Sequence, residues 1–179
     1  MTVDSRVLLD PDDGSLGPLL RLADDRLTPG EGYGQHAHRD VDVVAVVLAG
    51  SLTHRWHRGA VLGAGDVGVL RAGDGLRHDE VAGNDGAHVV QTYLRTAVAG
   101  RPAAHEVRTR PAGWVELDRP DARLWIGTVA VGESAHPPAG VRVLVRDGEV
   151  TAGPAEGPVA GPATVCVWQV DIARPAWAD

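Results

Sequence analysis

Apolar and polar positions in this chain alternate in short runs broken by glycine, aspartate and proline, and no run keeps a helical period for the length of an ordinary helix. Strands are predicted at Arg6 to Leu9, Leu19 to Ala23, Asp42 to Leu48, Ser51 to Trp56, Val67 to Leu70 and His88 to Leu94. The strongest is the β-branched run Val41-Asp-Val-Val-Ala-Val-Val-Leu48, which Ala49-Gly50 is expected to stop as a turn. Further strands are predicted at Trp114 to Leu117, Arg123 to Val131, Val141 to Arg146 and Ala163 to Val170, with a hairpin turn at Asp147-Gly148. Gly153 to Pro162 is nearly all Gly, Pro and Ala and reads as a loop, because proline cannot donate to a strand ladder. Short strands at this spacing define an all-β sandwich or barrel.

Two strand starts carry the candidate chemistry. His36 and His38 stand two apart in Gly-Tyr-Gly-Gln-His-Ala-His-Arg-Asp, and His78 and Glu80 stand two apart in Gly-Leu-Arg-His-Asp-Glu. Residues two apart on a strand share a face, so two neighbouring strands can aim all four side chains at one point. Three imidazoles and a carboxylate so aimed form a metal site. Neutral imidazole with carboxylate suits Fe(II), Mn, Co, Ni, Cu or Zn, and four such ligands leave two positions of an octahedron open.

The residues around these pairs resemble a known family. Gly30 to Gly50 resembles the first cupin motif: a glycine, a spacer, His-x-His, a short acidic interval, an apolar strand and a closing glycine. More specifically, Ala23 to Asp42 and Val47 to His54 are similar to the pirin branch of the cupins, where the fourth ligand comes from a His-x-Glu in the second motif, as Arg71 to Glu80 reads here. The resemblance runs from about Leu19 to Tyr93. Ala37 departs from the family's usual proline, Asp42 from its frequent glutamate, and the hairpin after His54 is shortened to Arg55-Trp-His-Arg-Gly59. None of these changes removes a ligand.

The resemblance implies a cupin barrel, also called a double-stranded β-helix or jelly roll, in a bicupin whose second barrel is reduced. The expected division is an N-terminal metal-binding barrel over residues 1–100, a polar, proline-broken linker over 101–111, and a C-terminal cupin-like unit without metal over 112–179. It also implies one divalent transition metal per chain, Fe(II) first, held by His36, His38, His78 and Glu80. Two functions follow. One is a metal-dependent oxygenase resembling quercetin 2,3-dioxygenase, which opens an enolisable aromatic with O2, Glu80 being both ligand and base for the substrate hydroxyl. The other is a metal-bearing regulatory protein of the pirin type that binds a protein partner without catalysis.

The remaining histidines carry less. His54 matches a histidine seen in pirins and reads as structural or as a group behind a ligand; His57, His88, His105 and His136 stand in no pair at ligand spacing and read as surface or structural. Tyr33, Trp56 and Tyr93 are candidates for a pocket mouth or for core. Cys166, the single cysteine, reads as a small buried hydrophobe.

Composition narrows the partners. The 179 residues have ordinary charged and apolar fractions, which excludes disorder. All 17 basic residues are arginine, scattered through the chain, and the net charge of −7 disfavours direct nucleic-acid binding. No segment has the length of a membrane helix, and Met1-Thr-Val-Asp-Ser5 lacks a basic stretch followed by an apolar run, so a cytoplasmic protein is expected.

Overall fold

The structure, a computed structural model, describes residues 3–11 and 13–172. It is all-β: no helix occurs among these residues, hence none long and apolar enough to cross a membrane. The chain forms two compact units, one of residues 3–11 with 19–110, the other of 13–18 with 111–172.

The first unit contains β1 (Val3–Leu9), β2 (Leu19–Leu27), β3 (His36–His38), β4 (Val41–Arg55), β5 (Ala60–Gly63), β6 (Val67–Arg71), β7 (Leu76–Arg95) and β8 (Ala104–Arg108). Their order is β1-β2-β7-β4-β6-β8, with β3 added to β7 and β5 to β4, all antiparallel. The two long strands organise it. The first half of β4 pairs with the second half of β7 (Val43↔Tyr93, Val47↔Val89), and the end of β4 pairs with the start of β7 (Leu52↔Ala82, His54↔Glu80).

Ala49-Gly50 is therefore not the end of a strand. The register shifts between Val47 and Ala49 and again between Gly50 and Leu52, so the glycine marks a bulge that bends one continuous strand. Gly50 has φ +68°, and a Cβ there would lie 2.1 Å from the Gly86 carbonyl oxygen, so only glycine fits. The bend lets one strand contribute to two parts of the core: Val41 and Val43 pack with Leu70, Ala72 and Leu76, while Ala45, Val47 and Leu52 pack with Leu27, Leu62, Ala82, Ala87 and Val89. Burying each valine or leucine among them contributes about 1.5–3 kcal/mol.

The stretch expected as a linker contains β8, whose residues 104–108 pair with β6 from Arg71 to Val67. Its alternation is too short, and too charged at Glu106 and Arg108, to stand out between Pro102 and Pro111.

The second unit contains β9 (Gly113–Val115), β10 (Ala122–Val129), β11 (Ser134–Ala135), β12 (Gly140–Arg146), β13 (Glu149–Ala155), β14 (Val159–Ala160) and β15 (Ala163–Val170). Five of these strands form a sheet in the order β13-β12-β15-β10-β9, and β11 pairs with β14. Asp147 and Gly148, with φ 49° and 78°, make the expected two-residue turn of the β12–β13 hairpin. The expected loop from Gly153 is corrected in part: β13 continues through Gly153 and Pro154 to Ala155, and β14 follows at Val159. Proline is tolerated there because β13 is an edge strand. Cys166 is buried, its thiol pushed up to about 12 by desolvation, which keeps it protonated as a small core residue.

Candidate metal centre

β7 carries His78 and Glu80 on its buried face, since exposure alternates from Leu76 to Ala82 with positions 76, 78, 80 and 82 all buried. β3 lies along one side of this stretch with His36 opposite His78 and His38 opposite Leu76. The end of β4 lies along the other side with His54 opposite Glu80. Strand alternation thus delivers five polar side chains to one region from three adjacent strands. The loop before β3 is held against β7 by the Tyr33 amide, which donates to the Glu80 carbonyl at 3.1 Å, and by a bridge between Gly32 and Val81. A Cβ on Gly32 would fall 2.2 Å from the Glu80 carbonyl oxygen, so this approach requires glycine.

The structure brings His36, His38 and His78 together, each offering a ring nitrogen within 4.8 Å of the others. The Nε2 atoms of His36 and His38 are 2.9 Å apart. That is about the spacing of two nitrogens at right angles around an ion with bonds of about 2.1 Å. His36 Nδ1 donates to the Gly34 carbonyl at 2.7 Å, which leaves its Nε2 lone pair free. His78 Nε2 is buried and has no hydrogen-bond partner among the described residues. Glu80 belongs to a second group, with His54 and His78 within the same span, so the four expected ligands fall in two overlapping sets joined at His78.

Electrostatics suit a cation. Burial and the neighbouring imidazoles hold His38 down to about 4 and His78 down to about 3, so both are neutral and able to ligate at neutral pH. Burial pushes the Glu80 carboxyl up to about 7, partly countered by Gln91, whose Nε2 donates to Glu80 Oε2 at 3.1 Å. Gln91 is itself fixed by Tyr93, whose hydroxyl donates to its Oε1 at 3.0 Å. An uncompensated buried carboxylate beside lone-pair nitrogens is stabilised by a bound cation, and three imidazoles with a carboxylate fit a divalent transition metal.

Several residues that no sequence motif marks as ligands belong to this region. His54 is 2% exposed, its Nε2 2.6 Å from His78 Nδ1. His105 stacks on His54, with ring centroids 3.9 Å apart. The fully buried Gln91 lies within a strand without any motif, so nothing in the sequence marked it. Tyr33 and Tyr93 set ring edges against His36 and His38, at 6.3 and 5.8 Å between centroids, and their hydroxyls are committed to Asp25 and Gln91. Trp56 packs on the core cluster of Val41 and Leu76. His57 lies against Trp56, His136 is exposed, and His88 is buried with Nε2 2.6 Å from Asp24 Oδ1.

Bent antiparallel strands that bring a His-x-His and a His-x-Glu together define a cupin barrel whose donor set fits a divalent metal. Residues 8–94 match the family model described as Pirin, and the chain belongs to the pirin family. Among curated proteins, a quercetin 2,3-dioxygenase of Escherichia coli is 29% identical over 120 residues, 64% of this chain and 52% of that protein. A pirin-like protein of Caulobacter vibrioides is 36% identical over 74 residues, 40% of this chain and 32% of that protein. The matched part spans about a third to a half of these relatives. Among solved structures, YhhW of Escherichia coli superposes with a TM-score of 0.73 at 21% identity, covering 94% of this chain and 90% of that one. The same bacterial pirin in complex with nickel(II) gives a TM-score of 0.69 at 20% identity, covering 94% and 92%.

Proposed function

We propose that His36, His38, His78 and Glu80 hold one divalent transition-metal ion and that the centre oxygenates an enolisable aromatic compound of the quercetin type. The observation that carries this reading is the one-sided convergence of donors: His78 and Glu80 are buried, whereas His36 and His38 are half-exposed on a three-residue edge strand. Donors buried on one side and half-exposed on the other suit an ion that keeps a coordination position for substrate rather than a fully enclosed structural ion. Iron(II) is the first choice on the resemblance to pirins. Nickel(II) is the second, because the Escherichia coli pirin is described in complex with it. Ligand type alone does not choose between them.

When bound, such an ion supplies Lewis acidity and a redox centre for the reaction of an enol with dioxygen. Glu80 takes the proton of the substrate enol, as a metal-bound carboxylate within hydrogen-bond reach of the hydroxyl can. Gln91 holds Glu80 Oε2 and leaves Oε1 to act. The rings of Tyr33 and Tyr93 orient a flat substrate; with both hydroxyls already donating, neither serves as the acid.

Protein loaded with iron(II), and separately with nickel(II), is expected to bind one ion per chain and to consume oxygen with quercetin. Glu80→Gln should abolish turnover by a larger factor than it weakens metal binding. Metal-replete protein that takes up no oxygen with any of a panel of enolisable aromatics, yet retains a specific protein partner in pull-downs, leaves the regulatory reading standing instead.

A further inference from the structure

His54 stands in hydrogen-bond contact with His78, and its place in the centre is fixed by the chemistry of imidazole. A neutral imidazole carries one hydrogen on its two nitrogens. Between His54 Nε2 and His78 Nδ1, 2.6 Å apart, one hydrogen is shared, and it can belong to either ring. If it belongs to His54, His78 must carry its own hydrogen on Nε2, which is then closed to a metal. If it belongs to His78, its Nε2 keeps a lone pair, and the hydrogen of His54 sits on Nδ1. Both His78 Nε2 and His54 Nδ1 are buried without a hydrogen-bond partner among the described residues. Either arrangement thus leaves a buried polar atom unmet, a local violation of the kind that concentrates at functional sites. A cation on His78 Nε2 satisfies one of them, and only in the second arrangement.

We propose that His54 is a positioning residue of the metal centre: it accepts the Nδ1 hydrogen of His78, sets the plane of that ring and presents an unprotonated Nε2 to the ion. The inference rests on His78 being a ligand. His105 supports His54 from β8, its ring stacked at 3.9 Å and tilted 34°. Gly68 on β6 leaves room for Leu62 and, less tightly, for His105, since a Cβ there would lie 2.7 Å from Leu62 Cδ2 and 3.3 Å from His105 Nε2. His105 also lines a cavity of about 580 Å³ with Trp56, Gly59, Ala60 and Val107. The alternative role for His54 is direct ligation, because it also lies in one group with His78 and Glu80.

Zinc(II), being diamagnetic, is the probe. In the zinc-loaded protein, long-range proton–nitrogen NMR correlations should show His78 Nδ1 protonated and His54 Nε2 unprotonated but metal-free. His54→Leu, which removes the acceptor, should weaken zinc binding by about 10- to 100-fold, the usual cost of losing a partner of a metal-bound histidine. His54→Gln, which offers an amide oxygen, should recover much of that loss, and the exposed His136→Ala should change nothing. Zinc coordinated by His54, a hydrogen found on His78 Nε2, or unchanged affinity in His54→Leu overturns the inference. Should His54→Leu fail to fold, the tautomers of the unsubstituted protein decide alone. If that protein does not bind zinc at all, the ligand assignment fails rather than the role of His54.

Discussion

At the scale of single residues, the centre is governed by how each polar group is fixed before any ion arrives. Glu80 is the clearest case, because burial pushes its carboxyl up to about 7 and the Gln91 amide pulls the other way. The amide could point either end at Glu80; the Tyr93 hydroxyl, which donates to Oε1, selects the end that donates. Gln91→Leu removes this donor while keeping the site apolar and of similar size. A hydrogen bond of about 1 kcal/mol corresponds to about one unit or less of pKa. In metal-free protein the Glu80 carboxyl is therefore expected to titrate higher in Gln91→Leu by about that much, followed by its carbon-13 shift. Tyr93→Phe, which frees the amide to flip, should give a smaller change in the same direction. A lower value in Gln91→Leu would show that Gln91 does not stabilise the charged carboxylate.

At the scale of elements, what the sequence disclosed depended on whether a signal was local. His-x-His and His-x-Glu are local patterns, and so both pairs stood out, as did the Asp147-Gly148 turn. Which strand pairs with which is not local. Gly50 has the same letter in a turn and in a bulge, and only its pairing with Ala87 on β7, beside the Gly86 carbonyl, distinguishes them. His105 stands in no local pattern, because β8 is five residues long and its contact with His54 joins strands far apart in the chain. Gln91 stands in no motif, and its contact with Glu80, earlier on the same strand, follows no local spacing rule. The loop before β3 is the element whose fit is most exacting, since Gly32 lies against the Glu80 carbonyl. Gly32→Ala is expected to push this loop off β7, lowering stability by about 1–3 kcal/mol, an overpacking cost, and displacing His36 and His38. Metal affinity should therefore fall in Gly32→Ala by more than in Leu52→Ala. The latter empties the core cluster of Leu27, Val47 and Val89 at about 2–5 kcal/mol, and it meets the loop at the Tyr33 side chain rather than at the tight approach of Gly32. Denaturation and zinc titration on both variants test the distinction; equal affinities would mean that the loop does not hold the ligands.

At the scale of the whole molecule, a cluster of neutral imidazoles makes the metal-free protein sensitive to acid. His38 and His105 are held down to about 4, His54 and His78 to about 3, in each case chiefly by burial. In the unfolded chain a histidine titrates near 6.5, so below that pH the unfolded state binds more protons and stability falls. The contribution is complete above about 6.5 and is lost as the pH drops through the folded values of about 3–4. Glu80 acts in the opposite sense, since its raised carboxyl favours the folded state at low pH and loses that contribution as the pH rises through about 7. Four histidines outweigh one glutamate, so the melting temperature of metal-free protein should fall steadily between pH 6.5 and pH 4. Metal changes the slope as well as the height. At a free ion concentration of about 100 Kd, linkage adds about 2.7 kcal/mol to the unit that binds it, and the gain shrinks in acid because protons compete for the same nitrogens. The separation between zinc-loaded and metal-free melting curves is therefore expected to be several degrees at pH 7.5 and to close towards pH 5. His38→Ala should abolish the separation at every pH while also reducing the acid sensitivity of the metal-free protein. A separation independent of pH, or one that survives in His38→Ala, would place the ion away from these histidines.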